Sequence, residues 1–159
     1  MRPVPEKRSK ESQTEATAMT LLYVEDNPRI AAMVLRVLQR EFGATGVAHA
    51  DTHNAAVREF DHRGDVWCIV LDLCIPARDG YYPDPDMGRY LIEESLPDDG
   101  TFAVVIASYS RLNLKFREGL FCARSKDPED ILAAVRAARE WMDKHPSSPP
   151  ADPDELSDG

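Results

Sequence analysis

One segment limits the fold more than any other: the run from Val66 to Leu73 (VWCIVLDL) is apolar on both faces until Asp72. A strand with one face in water alternates apolar and polar residues, whereas a strand buried on both faces does not. We therefore expect this run to be a central strand of a parallel sheet. Because parallel strands need long crossover connections, the rest of the chain must supply further strands that alternate with helices.

The remaining sequence shows this alternation of short apolar runs and amphipathic stretches. Asn27 with Pro28, and Asp127 with Pro128, are N-cap and first-turn pairs that begin the first and last predicted helices. The five predicted strands lie at 20–24, 47–50, 66–73, 102–107 and 120–124, and the helices at 28–43, 52–62, 87–96, 111–118 and from 128 onward. The pattern predicts an α/β, doubly wound (βα)5 domain rather than a sandwich or a helical bundle.

The two ends of the chain differ in composition from the middle. Residues 1–18 hold only scattered apolar residues, and residues 145–159 are rich in Pro and acidic residues without any Lys or Arg. Such segments cannot bury enough apolar surface to offset the entropy of ordering. We expect one domain over 19–144 between a disordered N-terminal tail, 1–18, and a disordered acidic, Pro-rich tail, 145–159.

Charge and hydropathy exclude several functions. The 159 residues contain 28 Asp and Glu against 19 Lys and Arg, a formal net charge of -9, which disfavours direct contact with nucleic acid. No stretch approaches the roughly 18 to 20 apolar residues of a membrane span, and the N-terminus lacks the apolar core of a signal peptide. We therefore expect a cytoplasmic protein. Its three cysteines, without a CxxC pair, are expected to be reduced.

Polar side chains stand directly after four of the predicted strands. Glu25 and Asp26 follow the first strand, and Asp72 closes the third. Ser108 follows the fourth strand, and Lys126 follows the fifth. Ligands of open parallel sheets bind beyond the carboxyl ends of the strands, so we expect these five side chains to surround one site.

The residue types at this site point to phosphoryl chemistry on a carboxylate. Three carboxylates placed together repel one another unless a cation shares them, and oxygen ligands suit a hard ion such as Mg²⁺. Lys126 and Ser108 would offer a positive charge and a hydroxyl donor to the oxygens of a phosphoryl group. Asp72 is then the predicted nucleophile, which would form an aspartyl phosphate.

Four parts of the sequence together resemble the bacterial two-component response-regulator receiver domain, in the CheY-like superfamily. They are YVEDNP at 23–28, LDLCIPARDG at 71–80, Ser108 after FAVVIA, and Lys126 seven residues after Gly119. The resemblance covers roughly residues 19–144. It implies a five-stranded sheet with the order 2-1-3-4-5 and a stand-alone regulator that signals by binding a downstream protein partner.

The resemblance also implies a role for each site residue. Asp72 would accept a phosphoryl group from a phosphohistidine on a sensor histidine kinase or a phosphotransfer protein. Ser108 would bind a phosphoryl oxygen, and Lys126 would pair with the phosphoryl group. The implied ligands of Mg²⁺ are three carboxylates and one backbone carbonyl: Glu25, Asp26, Asp72 and Cys74. Such a domain is a phosphoacceptor with self-catalysed phosphotransfer and autodephosphorylation rather than an enzyme acting on a separate substrate.

The sequence departs from the family pattern at positions that affect how phosphorylation is signalled to a partner more than the phosphorylation reaction itself. Ala123 stands where an aromatic residue usually reports phosphorylation, Asp127 replaces the Pro expected after the Lys, and Tyr109 replaces a small residue after the Ser. We expect the Tyr109 ring to shield the pocket. Residues 80–88 form a longer loop than the family's, in which Tyr81 and Tyr82 are candidates for a partner surface.

Two classes of function remain open, and a third is weaker. The chain is either a phosphoacceptor or a degenerate receiver that acts as a docking module without phosphorylation. A phosphatase that uses an aspartyl-phosphate intermediate would need an acid in place of Cys74. The complete set of acidic residues favours the phosphoacceptor.

Overall fold

A five-stranded parallel sheet forms the centre of the computed structural model, which describes residues 19–108, 114–115 and 117–145. The strands are β1 (Thr20–Val24), β2 (Val47–Ala50), β3 (Val66–Leu71), β4 (Ala103–Ile106) and β5 (Leu120–Cys122). They are hydrogen-bonded in the order β2-β1-β3-β4-β5, and every neighbouring pair is parallel. The predicted doubly wound fold and its strand order are confirmed.

Four helices accompany the sheet in the described part of the chain. They are α1 (Pro28–Phe42), α2 (His53–Arg63), α3 (Met87–Tyr90), which continues as a π-helical turn (Leu91–Ser95), and α4 (Pro128–Lys144). A short 3₁₀ turn (Ala44–Gly46) precedes β2. The side-chain oxygen of Asn27 accepts hydrogen bonds from the first backbone N–H groups of α1, and that of Asp127 accepts one at the start of α4. Both helices therefore begin where the sequence predicts.

The helices form two layers that enclose the sheet. Apolar side chains of α1 and α4, such as Val34 and Val135, pack on one face of the sheet. Ala56 of α2 and Leu91 at the end of α3 pack on the other face. Because both faces are covered, every residue of β3 is buried, as its unbroken apolar run predicts.

The connection between β4 and β5 differs from the prediction. The described residues within the predicted helix 111–118 are not helical, so that part of the prediction is wrong. Their polar groups bind the neighbouring connection instead: the backbone N–H of Lys115 donates to the carboxylate of Glu93 at 2.7 Å. The guanidinium of Arg117 lies 3.2 Å from the carboxylate of Asp98. These contacts hold Lys115 and Arg117 in place without helical hydrogen bonds.

The predicted tails, 1–18 and 145–159, lie outside the described residues except for His145. Within the part of the chain that the structure describes, no helix is long and apolar enough to cross a membrane. The described fold thus corresponds to the single predicted domain, whose limits remain a prediction.

Candidate functional site

A pocket of about 650 Å³ opens at the carboxyl edge of the sheet. The six residues that the sequence predicts for the site all line it, and sequence reasoning did not identify the other four. The lining residues are Glu25, Asp26, Asn27, Pro28, Asp72, Cys74, Pro83, Pro85, Ser108 and Lys126.

The register of the sheet brings the ends of three strands to the same level. The last residue of β1, Val24, is paired with Leu71 of β3, and Leu71 is paired with Ile106 of β4. The backbone N–H of Asp72 also donates to the carbonyl of Val24 at 3.0 Å. The polar residues that follow these strands therefore project into the same space.

Three carboxylates converge in the pocket. Oxygen atoms of Glu25, Asp26 and Asp72 lie within 4.8 Å of one another. Glu25 is 2% exposed and Asp72 is 4% exposed, whereas Asp26 is half-buried. Backbone N–H groups hold the two buried carboxylates: that of Asn27 donates to Glu25 Oε2 at 3.0 Å, and that of Cys74 donates to Asp72 Oδ1 at 3.1 Å.

Lys126 is the cation paired with this cluster. Its Nζ lies 2.9 Å from Asp72 Oδ2 and 3.4 Å from Glu25 Oε1. Burial lowers the pKa of Lys126, but the hydrogen bond to Asp72 and the charges of both carboxylates outweigh burial, so its pKa lies above the ordinary value. The ammonium group therefore stays charged next to the predicted nucleophile.

One lysine does not neutralise the whole cluster. Burial, and after it the charge of Asp72, raise the pKa of Glu25 to about 7, against the opposing effects of the Asn27 hydrogen bond and Lys126. The cluster brings together three carboxylates, and Lys126 supplies one positive charge to it. Hard oxygen ligands with excess negative charge fit a cation such as Mg²⁺.

Cys74 contacts Asp72 through its backbone N–H and not through its sulfur. Burial raises the pKa of its thiol, and the charges of Asp72 and Asp26 raise it further. The thiol therefore stays protonated at neutral pH, a form that binds metals poorly.

The structure also describes three of the four other residues that the sequence analysis named at or near the site. Ser108 is half-buried and lines the pocket. Ala123 is 4% exposed and belongs to the core on the α1 and α4 face, and the side chain of Asp127 caps α4. Tyr109 lies outside the described residues.

Gly88 supports the site in a way that sequence reasoning missed. Its backbone N–H donates to the carbonyl of Leu73 at 2.9 Å. A Cβ at this position would lie 2.5 Å from Leu73 Cα and 2.9 Å from the carbonyl oxygen of Asp72. A glycine inside a predicted helix was the available signal, because glycine is unfavourable there unless another backbone approaches closely.

Comparison with known proteins identifies the fold. No protein-family model matches the sequence, and no curated protein matches it. Solved structures do match, among them a two-component transcriptional regulator AraC from Clostridium phytofermentans, with 15% identity, a TM-score of 0.58, and coverage of 80% of this chain and 96% of that one. A two-component response regulator from Legionella pneumophila matches with 18% identity and a TM-score of 0.52, covering 77% of this chain and 98% of its own.

A third structure is of a complex. It is the CheX-CheY-BeF3-Mg complex from Borrelia burgdorferi, which matches with 17% identity and a TM-score of 0.54, over 76% of this chain and 89% of that chain. These identities are low, but the matches extend over most of each chain. They agree with the strand order of the sheet. The chain therefore has the CheY-like fold of two-component response-regulator receiver domains.

Proposed function

We propose that this protein is a phosphoacceptor of two-component signalling and that Asp72 receives the phosphoryl group. The donor is a phosphohistidine on a sensor histidine kinase or a phosphotransfer protein. The observation that supports this best is the convergence of Glu25, Asp26 and Asp72, whose carboxylate oxygens lie within 4.8 Å of one another. Lys126 Nζ lies 2.9 Å from Asp72 Oδ2 in this cluster. The cluster lies in a pocket that a donor can reach.

The proposed reaction is an in-line transfer between two nucleophiles. A carboxylate oxygen of Asp72 forms a bond to phosphorus while the phosphorus–nitrogen bond of the donor breaks, and the imidazole keeps the electron pair and takes up a proton. The Lys126 ammonium lies close enough to Asp72 to pair with the transferred group. The Ser108 hydroxyl, on the same pocket wall, donates to one of its oxygens.

We also propose that the pocket binds Mg²⁺ through Glu25, Asp26, Asp72 and the backbone carbonyl of Cys74. The geometry supports this assignment, because three carboxylates converge and Lys126 supplies only one positive charge to them. When bound, Mg²⁺ would supply positive charge to the phosphoryl oxygens. The CheY complex from Borrelia burgdorferi contains Mg and BeF3, which is consistent with such a site in this fold.

The proposed output is a protein–protein interaction in the cytoplasm. A net charge of -9 disfavours direct nucleic-acid binding.

The test is intact-protein mass spectrometry after incubation with phosphoramidate and Mg²⁺. We expect the wild-type protein to gain one phosphoryl group, to lose it in alkali, and to gain none in EDTA. Asp72→Asn should gain none, whereas Asp79→Asn, which changes an exposed acid outside the cluster, should be labelled like the wild type. Labelling of Asp72→Asn at the wild-type rate would refute the assignment.

The docking module without phosphorylation is the second candidate. Its support is Ala123, which is buried in the core at the position where the family usually has an aromatic reporter. A correctly folded wild-type protein that phosphoramidate does not label at any Mg²⁺ concentration would favour this alternative.

A further inference from the structure

A loop with two exposed tyrosines borders the acidic pocket. We define the tyrosine loop as residues 76–86. Tyr82 is 92% exposed, and Tyr81 is 52% exposed. The next residue, Pro83, lines the pocket together with Pro85. The same short segment therefore forms one wall of the pocket and presents aromatic surface to the solvent.

Backbone hydrogen bonds fix this loop at several points. The N–H of Asp84 donates to the carbonyl of Ile75 at 3.0 Å, in an antiparallel bridge between the two residues. The N–H of His53, at the start of α2, donates to the carbonyl of Pro76 at 2.9 Å. A surface that is ordered before binding loses less entropy when a partner binds.

The two tyrosines differ in what they contact. Arg78 lies over the Tyr81 ring at 4.4 Å and also hydrogen-bonds the Tyr81 hydroxyl, so Tyr81 stabilises the loop itself. Tyr82 is almost fully in water, and its ring adds little to the packing of the fold. Tyrosines presented on a rigid surface are typical anchors of protein interfaces.

The charge around the pocket mouth indicates the chemistry of the partner. Asp84, between the two prolines of the pocket wall, is exposed. Asp26 adds a second, half-buried carboxylate at the lining. Asp86 is paired with Arg89 at 3.5 Å. The net negative mouth favours a partner with basic residues around the group that it inserts.

We propose that the tyrosine loop is the docking surface for the protein that delivers the phosphoryl group to Asp72. This inference rests on the proposed function. Pro83 and Pro85 line the pocket that holds Asp72, so a protein whose histidine enters the pocket along this wall comes against the loop. Tyr82 contacts an apolar patch beside that histidine, and Asp84 faces the basic residues around it. A small phosphodonor enters the pocket without touching Tyr82.

The experiment compares a protein donor with a small donor. A panel of autophosphorylated histidine-kinase catalytic cores is screened with the wild-type protein, and the fastest donor is used to measure transfer rates. Tyr82→Ala should lower the transfer rate from this donor about tenfold, the effect of losing about 1.4 kcal/mol at a single anchor. Its labelling by phosphoramidate should be unchanged. Tyr90→Ala removes a tyrosine that is 51% exposed and lies outside the tyrosine loop, and it should change neither rate.

Each contrary result has a separate meaning. Equal transfer rates for Tyr82→Ala and the wild type would overturn the docking surface, as would an equal slowing with both donors. Labelling by phosphoramidate without transfer from any kinase of the panel would also overturn it. Wild-type protein that phosphoramidate does not label would instead refute the proposed function.

Discussion

The acidic pocket and the tyrosine loop reverse the usual distribution of residues in opposite ways. In the pocket, charged groups are buried: Glu25 is 2% exposed and Asp72 is 4% exposed. In the loop, an aromatic ring is exposed to solvent: Tyr82 is 92% exposed. Folding alone favours neither arrangement, because buried charges lose hydration and exposed rings keep apolar surface in water. The two regions are adjacent, which is expected if one carries the chemistry and the other recognises the partner.

The difference between them predicts how each responds to substitution. The buried carboxylates of the pocket are held by backbone N–H groups and by Lys126, so changes there should alter both stability and phosphorylation. The exposed ring of Tyr82 contributes little to the fold, so changing it should affect binding alone. The following predictions test this contrast.

Among changes at the pocket and the loop, the largest effect is expected at Gly88, which packs against Leu73 beside the pocket. The added Cβ of Gly88→Ala would lie 2.5 Å from Leu73 Cα and 2.7 Å from the Leu73 carbonyl oxygen, so the backbone beside Asp72 must shift. We expect a loss of about 3 kcal/mol in the free energy of unfolding and slower labelling by phosphoramidate. Urea denaturation and mass spectrometry measure the two effects.

Gly80→Ala is the matched change within the tyrosine loop. Gly80 has a φ of +86°, but a Cβ there would meet nothing within 4 Å. The loss should be about 1 kcal/mol, from backbone strain alone, with labelling unchanged. A Gly88→Ala protein as stable as Gly80→Ala would show that the contact with Leu73 is not tight.

The second prediction removes the cation of the pocket. Lys126→Met leaves Asp72 and Glu25 buried without the ammonium group that now lies 2.9 Å and 3.4 Å from them. We expect the free energy of unfolding at pH 8 to fall by about 2 kcal/mol, less than the roughly 3 to 5 kcal/mol for breaking a fully buried ion pair, because the pocket is open to water. Lys126→Arg, which keeps the charge, is the control and should lose less. Equal losses in both variants would mean that packing, not charge, is responsible.

The third prediction concerns pH. The pKa of Glu25 is raised to about 7 in the folded protein, above its ordinary value. The stability that protonated Glu25 provides is therefore complete below pH 4.5 and is lost as the pH rises through 7. A rise of this size corresponds to about 3 kcal/mol, and solvent screening in an open pocket should reduce it to roughly 1 to 2 kcal/mol.

The measurement is urea denaturation between pH 5 and pH 8 in buffer with EDTA. The wild-type protein should become less stable across this range, and Glu25→Gln should show a flatter profile because its side chain does not ionise. Mg²⁺ should stabilise the wild type most at pH 8, where Glu25 is ionised. An identical slope for Glu25→Gln would mean that another group causes the pH dependence.

Features of the pocket that depend on fold topology could be predicted from sequence. Lys126 and Glu25 are 101 positions apart, yet they lie 3.4 Å from each other because both follow strands of one parallel sheet. An apolar run ending in a polar residue is enough to place such a side chain at the sheet edge. Whether Lys126 and Glu25 form an ion pair depends on their side-chain rotamers, which sequence patterns do not determine.

Features of the loop could not be predicted in the same way. The bridge between Ile75 and Asp84 depends on how an irregular segment folds back, for which the sequence has no periodic signal. The same holds for the segment before β5, where Lys115 and Arg117 bind acceptors of another connection instead of forming a helix. Periodicity predicts regular elements, and these contacts lie between them.

The smallest effect is expected for the stability of Tyr82→Ala. Because the ring is 92% exposed, its removal takes away little buried surface, and the free energy of unfolding should change by less than about 0.5 kcal/mol. Phe102→Ala is the contrasting change: Phe102 is 1% exposed and packs edge-on against Phe60, so its loss should cost about 3 kcal/mol or more. Both are measured by urea denaturation at pH 7. A large loss of stability in Tyr82→Ala would show that the ring supports the loop, and slower transfer from a kinase could then follow from a distorted pocket. If stability is unchanged, slower transfer must come from a lost contact between the Tyr82 ring and the donor protein. The loop would then act through binding alone, whereas the pocket residues affect both stability and phosphorylation.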